Sequence, residues 1–292
     1  MTAHPLRVAT VGAGPWARET HIAALRAHPR VEFAGVWTRR PEATADLDIP
    51  RFDSVEAMLD ACDAVTFAVP PQAQAGLAVR AAGAGKHLIL DKPIAGDVAE
   101  AEDLVAAITE AGVRSVVTFT RRFAPETRRF LDAVDAGTFS GGLGCWLSGA
   151  LLGGRYSGSR WRADGGALLD VGPHVVDLMD RALGPVVDVV TADVDRDTDT
   201  WSATLAHESG ARTAVQLSLR VPARPTVSQF RVHGPGGVVE LTDRSTSSPD
   251  CFAVLIDEFV DAVETGTDHP CDADRGLHIQ RILADVATAA GV

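Results

Sequence analysis

The sequence predicts an α/β protein: a doubly wound parallel sheet over residues 1–120, followed over 121–292 by an α+β domain whose helices cover one face of a sheet. Three observations carry this. The chain has 292 residues, enough for two ordinary domains. Its first 120 residues alternate near-continuous apolar runs with helical patterns, as strands covered on both faces do. Beyond about 121 the pattern changes to long strands in succession.

In the first part the predicted strands are 6–12, 31–37, 64–70, 87–91 and 114–120, with helices around 15–28, 54–61, 72–84 and 97–111. Asp97 reads as the cap of the last helix and Gly112 as its end. The second part opens with a helix over 124–136 and a Gly-rich stretch at Gly141, Gly142 and Gly144. A strand at 143–152 and a helix near 167–183 follow. Strands at 186–195, 199–208, 211–221, 226–233 and 238–242 come next, with SerGly at 209–210 and ProGlyGly at 235–237 marking turns of antiparallel hairpins. Helices at 251–265 and 274–290 close the chain.

Composition narrows the function. A net charge of −12 and the lack of any Lys/Arg-rich block argue against nucleic acid as a partner. No apolar run approaches the length of a membrane span. The opening residues MTAHPLRVATVGAGP carry neither a basic leader nor a long apolar core, which points to the cytoplasm. Cys62, Cys145, Cys251 and Cys271 have no metal-like spacing, so free buried thiols are expected, and no metal.

The first chemical motif is VGAGPWA. Gly12, Gly14 and Ala17 fit G-x-G-x-x-A between a strand and a helix, with Pro15 and Trp16 in the turn. The first glycine permits the tight turn, the second admits a pyrophosphate, and the small third residue lets helix and strand pack. The helix N-terminus then presents free N–H groups to the phosphates. At the end of the second strand, where an acid would hold the ribose of NAD, stand Thr38, Arg39 and Arg40. A hydroxyl and two guanidinium groups suit a 2′-phosphate, so NADP is the expected cofactor, with NAD the alternative.

Lys92 forms the second motif. Only it and Lys86 are lysines among 27 basic residues, and AspLysPro at 91–93 falls at the carboxyl end of a parallel strand, where ligands of open α/β sheets bind. An ammonium there donates protons to a substrate oxygen. The third is GGALLDVGPHVVDLMDRALG, 165–184. Asp170, His174, Asp177 and Arg181 share one face if the helix is continuous; alternatively Pro173 starts the helix near Gly172, leaving Asp170 just outside and His174 in the first turn, where the dipole favours the neutral base. The remaining histidines, His21 among them, read as packing or surface residues.

These segments resemble the Gfo/Idh/MocA oxidoreductases, named from glucose-fructose oxidoreductase and inositol dehydrogenase. VGAGPWA, AGKHLILDKP and GGALLDVGPHVVDLMDRALG follow the family's three motifs in order, and FRVHGPGGVVEL and FVDAVETGTDHPCDADRGL resemble its later segments. The resemblance implies a Rossmann domain followed by a domain with an open-faced sheet used for oligomerisation, as homodimer or homotetramer. It implies that Lys92, Asp170 and His174 lie beside the nicotinamide, His174 exchanging the proton and Asp170 orienting it or holding a substrate hydroxyl. Val69, Pro70, Pro71 and Gln74 would line the cofactor, and Asp91 would approach the nicotinamide ribose. Asp91 stands where the family has Glu, and Gln74 where many members have His. Arg121, Arg122, Tyr156, Trp161 and Arg162 are the substrate-pocket candidates, with interface or surface positions as the alternative reading. The activity so implied is NAD(P)-dependent interconversion of a secondary alcohol and a ketone on a sugar, cyclitol or similar polyol. Glycoside cleavage by transient oxidation and non-catalytic NADPH sensing are the alternatives.

Overall fold

Five parallel strands organise the first of two units in the computed structural model, which describes residues 4–153 and 158–292. This unit comprises Met1–Phe123 and Ser247–His278; the other comprises Ala124–Thr246 and Ile279–Val292. Strands β1 (Leu6–Val11), β2 (Val31–Trp37), β3 (Ala64–Phe67), β4 (His87–Leu90) and β5 (Ser115–Val117) lie in the order β2-β1-β3-β4-β5. Val8, Ala9, Val65, Phe67, Leu88, Ile89, Leu90 and Val117 are all fully buried, as the unbroken apolar runs require of a sheet covered on both faces.

The connections are helical: α1 (Ala23–Ala27), α2 (Val55–Ala61), α3 (Pro71–Gly83) and α4 (Val98–Ala111). Asp97 caps α4 by accepting from Glu100 N at 2.8 Å, and Gly112 closes it at φ +64°. The helix expected around 15–28 is wider-wound than the pattern implied. Ala17–Ile22 forms a π-helical segment that runs into α1. His21 in that segment is wholly buried, its Nδ1 2.8 Å from Thr66 Oγ1 and its ring centroid 4.3 Å from that of Phe252. Burial without a counter-charge lowers its pKa to about 3, so the ring is neutral.

The second unit contains α5 (Pro125–Asp135), β6 (Gly141–Leu147), α6 (Arg160–Asp170), α7 (Gly172–Leu183), β7 (Val186–Asp195), β8 (Thr200–His207), β9 (Arg212–Ser218), β10 (Val227–Gly234) and β11 (Gly237–Leu241). The predicted hairpins form: β7 with β8, β8 with β9 and β10 with β11 are antiparallel. The sheet order is β11-β10-β6-β9-β8-β7. Strand β6, first in sequence, takes the centre, antiparallel to β10 and parallel to β9. On β8 and β9, Trp201, Ala203, Leu205, Thr213, Val215 and Leu217 are buried, while Ser202, Ala214 and Gln216 between them are exposed. Helix α7 packs on β6 where Gly144 has no side chain; a Cβ there would lie 2.6 Å from Val175 Cγ1 and 3.0 Å from Met179 Cγ.

Helices α8 (Ser248–Thr265) and α9 (Ala273–Ala289) end the chain, α8 packing on α1 and β5 of the first unit. All four cysteines are buried and unbridged, and burial pushes the Cys62 thiol up to about 11. Among the described residues no helix is long and apolar enough to cross a membrane, and no group of three or more His, Cys, Asp or Glu is placed to hold a metal ion.

Candidate active site

In the first unit, strand register assembles the candidates. Val11 at the end of β1 pairs with Trp37 at the end of β2 and with Phe67 at the end of β3, and Leu90 of β4 pairs with Val117 of β5. Because all the strands run one way, the segments that follow them emerge along one sheet edge. Those segments are Gly12–Ala17, Thr38–Arg40, Val69–Pro71, Asp91–Lys92 and Arg121–Arg122. This is the edge at which open α/β sheets bind ligands.

Gly12 has φ +108°, a conformation reserved for glycine, and its N–H donates to Trp37 O at 2.9 Å. A Cβ at Gly12 would lie 2.5 Å from Ala68 O and 2.9 Å from Val69 Cγ1. At Gly14 a Cβ would meet nothing within 4 Å. The two glycines therefore differ in kind: one is required by the protein's own packing, while the other is exposed beside open space. That is the arrangement a dinucleotide pyrophosphate needs, a tight turn followed by approachable backbone at a helix start. The residues present fit such a cofactor.

Arg39 and Arg40 are exposed, and neither guanidinium has a hydrogen bond or ion pair among the described residues. Thr38 Oγ1 accepts from Arg40 N at 3.3 Å, which stabilises the local turn.

The AspLysPro turn is held from beneath by Gln74. Its Nε2 donates to Asp91 O at 2.8 Å and Ile94 O at 2.9 Å, and its Oε1 accepts from Asp91 N at 2.9 Å. Gln74 is fully buried, so the side chain expected to contact cofactor is committed to the main chain that presents Lys92. Asp91 Oδ1 accepts from Lys92 N at 2.9 Å and from Thr118 Oγ1 at 2.7 Å. Lys92 is half-buried, and the Lys92–Pro93 peptide is cis. Arg121 is buried with Nη1 4.0 Å from Cys251 Sγ, whereas Arg122 is half-buried.

In the second unit the 165–184 segment adopts the broken geometry. Helix α7 begins at Gly172 with Pro173 in its first turn, so Asp170 lies outside it, at the end of α6. His174 occupies the first turn, half-buried, its ring stacked on Trp146 of β6 with centroids 5.8 Å apart and planes at 21°. The Arg244 guanidinium carbon lies 4.5 Å from the Trp146 ring centroid. Asp170 Oδ2 accepts from Arg162 Nε at 3.1 Å, and the Arg162 guanidinium carbon lies 4.5 Å from the centroid of Trp161. Three predicted residues, Trp161, Arg162 and Asp170, thus form one chain of contacts. Tyr156 lies outside the described residues.

Two residues that sequence reasoning did not single out hold this segment. Gly166 interrupts α6 at φ +57°, ψ −158°, which only glycine adopts readily. Asp199, at φ +48° in the β7–β8 turn, sets its carboxylate into the space a Cβ of residue 166 would occupy and accepts from Ala167 N at 3.1 and 2.9 Å and from Trp201 Nε1 at 3.3 Å. It caps the final turn of α6, the one that ends in Asp170. Burial raises its pKa despite those donors. The signal was hidden because an acid within DRDTDT reads as solvated turn.

Comparison with known proteins follows the same division. Residues 6–119 match the oxidoreductase family with NAD-binding Rossmann fold, and residues 146–240 match the GFO/IDH/MocA C-terminal domain. A dTDP-3,4-didehydro-2,6-dideoxy-alpha-D-glucose 3-reductase from Actinomadura kijaniata is 30% identical over 65% of this chain; the match spans 60% of that protein's length. A D-xylose 1-dehydrogenase (NADP(+)) from Haloferax volcanii is 30% identical over 88% of both chains. The crystal structure of myo-inositol 2-dehydrogenase from Lactobacillus plantarum superposes with a TM-score of 0.87 at 18% identity, covering 98% of this chain and 97% of that one, a likeness of fold. The chain belongs to the GFO/IDH/MocA oxidoreductase family.

Proposed function

We propose that the protein is a nicotinamide-dependent oxidoreductase that interconverts a secondary alcohol and a ketone on a sugar, cyclitol or similar polyol, with NADP preferred over NAD. The observation that carries the reading is the single sheet edge at which a glycine turn with open space at Gly14, two uncommitted arginines and a half-buried lysine follow β1, β2 and β4 of one parallel sheet. The relatives support the chemistry: one is named for reduction of a dTDP-bound sugar and another for NADP-linked oxidation of D-xylose.

When bound, the cofactor supplies the hydride chemistry. The backbone N–H groups of Gly14, Trp16 and Ala17 hold its pyrophosphate, with Pro15 and Trp16 shaping the turn. Thr38, Arg39 and Arg40 hold the adenosine 2′-phosphate, Val69, Pro70 and Pro71 line the cofactor, and Asp91 meets the nicotinamide ribose. Lys92 Nζ donates a hydrogen bond to the reacting oxygen. His174 accepts its proton in oxidation and returns it in reduction, and Asp170 orients the imidazole or holds a substrate hydroxyl. Arg121, Arg122, Tyr156, Trp161 and Arg162 contribute to substrate binding. The exposed sheet face of the second unit, with Val187, Val190 and Val238 at its margins, mates with a second copy to give a dimer or tetramer, in the cytoplasm.

The test is a titration with NADPH and NADH followed by a panel of polyols and keto-sugars. Tight NADPH binding with net cofactor turnover on a panel member is expected. Release of unoxidised sugar without net turnover would identify glycoside cleavage, and binding without any reaction would identify a sensor. Arg39→Ala and Arg40→Ala are each expected to weaken NADPH by about tenfold to a hundredfold, from the loss of a charge-assisted hydrogen bond of roughly 1.5–3 kcal/mol, and to leave NADH within twofold.

A further inference from the structure

Arg18 lies in the helical turn after the glycines, and its whole guanidinium fork is used. Nε donates to Ala13 O at 3.0 Å, inside the G-x-G turn. Nη1 donates to Asp46 Oδ2 at 2.6 Å and Nη2 to Asp46 Oδ1 at 2.9 Å, a bidentate pair. Nη2 also donates to Ala43 O. One planar group therefore joins the carbonyl between the two glycines to the far end of the segment that follows β2.

That segment carries Thr38, Arg39 and Arg40 and continues through the short 3-10 turn Pro41–Thr44, which Thr44 closes by donating Oγ1 to Pro41 O at 2.9 Å. Its near end is fixed by strand register and by the bond from Gly12 N to Trp37 O. Arg18 fixes its far end. Both ends of the arginine-bearing segment are thus tied to the turn assigned to the pyrophosphate. A second consequence is electrostatic: the pairing neutralises the Asp46 carboxylate at the far end of the segment that carries Arg39 and Arg40. The Arg18 guanidinium holds that carboxyl below its usual range.

We infer that Arg18 is a positioning residue for cofactor selectivity, setting the spacing between the pyrophosphate turn and the Thr38–Arg40 segment so that Arg39 and Arg40 meet a ribose 2′-phosphate. The inference rests on the NADP reading above. Arg18 keeps 31% and Asp46 64% of its side-chain surface exposed, so the pair contributes little to stability and its effect is geometric.

The test measures dissociation constants for NADPH and NADH by cofactor fluorescence, and for 2′,5′-ADP and 5′-ADP by competition, in the wild type, Arg18→Ala and Arg18→Lys. In R18A the preference for NADPH over NADH is expected to fall at least tenfold, and that for 2′,5′-ADP over 5′-ADP in parallel, with NADH and 5′-ADP affinities within twofold of wild type. Loss of packing alone would weaken all four ligands together and overturn the inference. R18K keeps the charge without the fork and is expected to lose most of the preference as well; it decides the question should R18A fail to fold. A preference retained in the variant overturns the inference alone, whereas a wild type without preference overturns the NADP reading and the inference with it.

Discussion

Alanine substitution at Gly12 and at Gly14 separates what the fold requires from what a dinucleotide requires. At Gly12 the new Cβ would sit 2.5 Å from Ala68 O and 3.0 Å from Ala68 C. That carbonyl does not move freely, because Ala68 N is bonded to Val11 O at 2.9 Å and Gly12 N to Trp37 O at 2.9 Å. A φ of +108° adds backbone strain on the order of 1–3 kcal/mol in any L residue. With the contact added, G12A should cost about 3 kcal/mol, a melting temperature lower by roughly 6–12 °C for a unit of this size. At Gly14 neither term applies: a Cβ meets nothing within 4 Å. G14A should leave the melting temperature unchanged or raise it slightly, as glycine-to-alanine changes at compatible positions do by up to about 1 kcal/mol. Its methyl group would nevertheless fill the approach to the backbone donors. Loss of one charge-assisted contact, at roughly 1.5–3 kcal/mol, should weaken NADPH by tenfold to a hundredfold. Differential scanning fluorimetry and fluorescence titration on both variants provide the assay. A G14A protein that binds NADPH within twofold of wild type would refute the placement of the pyrophosphate, whatever G12A does.

Two other outcomes follow from particular side chains. Gly166→Ala, at φ +57° and against the Asp199 carboxylate, should destabilise the second unit by about 2–4 kcal/mol and lower turnover by displacing the segment that ends in Asp170, while NADPH affinity stays within twofold; denaturant unfolding with cofactor titration checks it. His21 has a folded pKa near 3 against about 6.5 unfolded, so between those values the unfolded chain takes up a proton that the native state refuses. The native advantage is complete above pH 6.5 and is lost as pH falls toward 3. Relative to His21→Leu, the wild type should lose about 1 kcal/mol between pH 7 and pH 5.5 in urea unfolding; parallel pH dependences would show that the ring titrates normally.

Local patterns were the legible part of this fold. Unbroken apolar runs specified the parallel sheet, Asp97 and Gly112 bracketed their helix as their types demand, and turn residues placed the β8–β9 and β10–β11 hairpins. The central position of β6 was not legible, because its pairing with β9 joins residues some 70 apart by geometry that no local pattern encodes. At the site, the glycine turn, Lys92 and the break at Pro173 could be read because each residue type has a strong backbone or chemical preference. The partners of Gln74 were not legible: a glutamine after a ProPro segment carries no mark that its amide turns inward to Asp91 and Ile94. Asp199 and Arg18 were missed for the same reason. Each looks like an ordinary solvated charge until folding places Ala167 N beside one and Ala13 O beside the other.

The proposed proton-transfer roles are tested most directly by measuring NADPH affinity and turnover side by side in Lys92→Ala and His174→Ala, on whichever polyol or keto-sugar the wild type accepts. Both variants should bind NADPH within about twofold of wild type while turnover falls by roughly a hundredfold to ten-thousandfold, the range general acid–base groups supply. Wild-type turnover in either variant would contradict the role assigned to that residue.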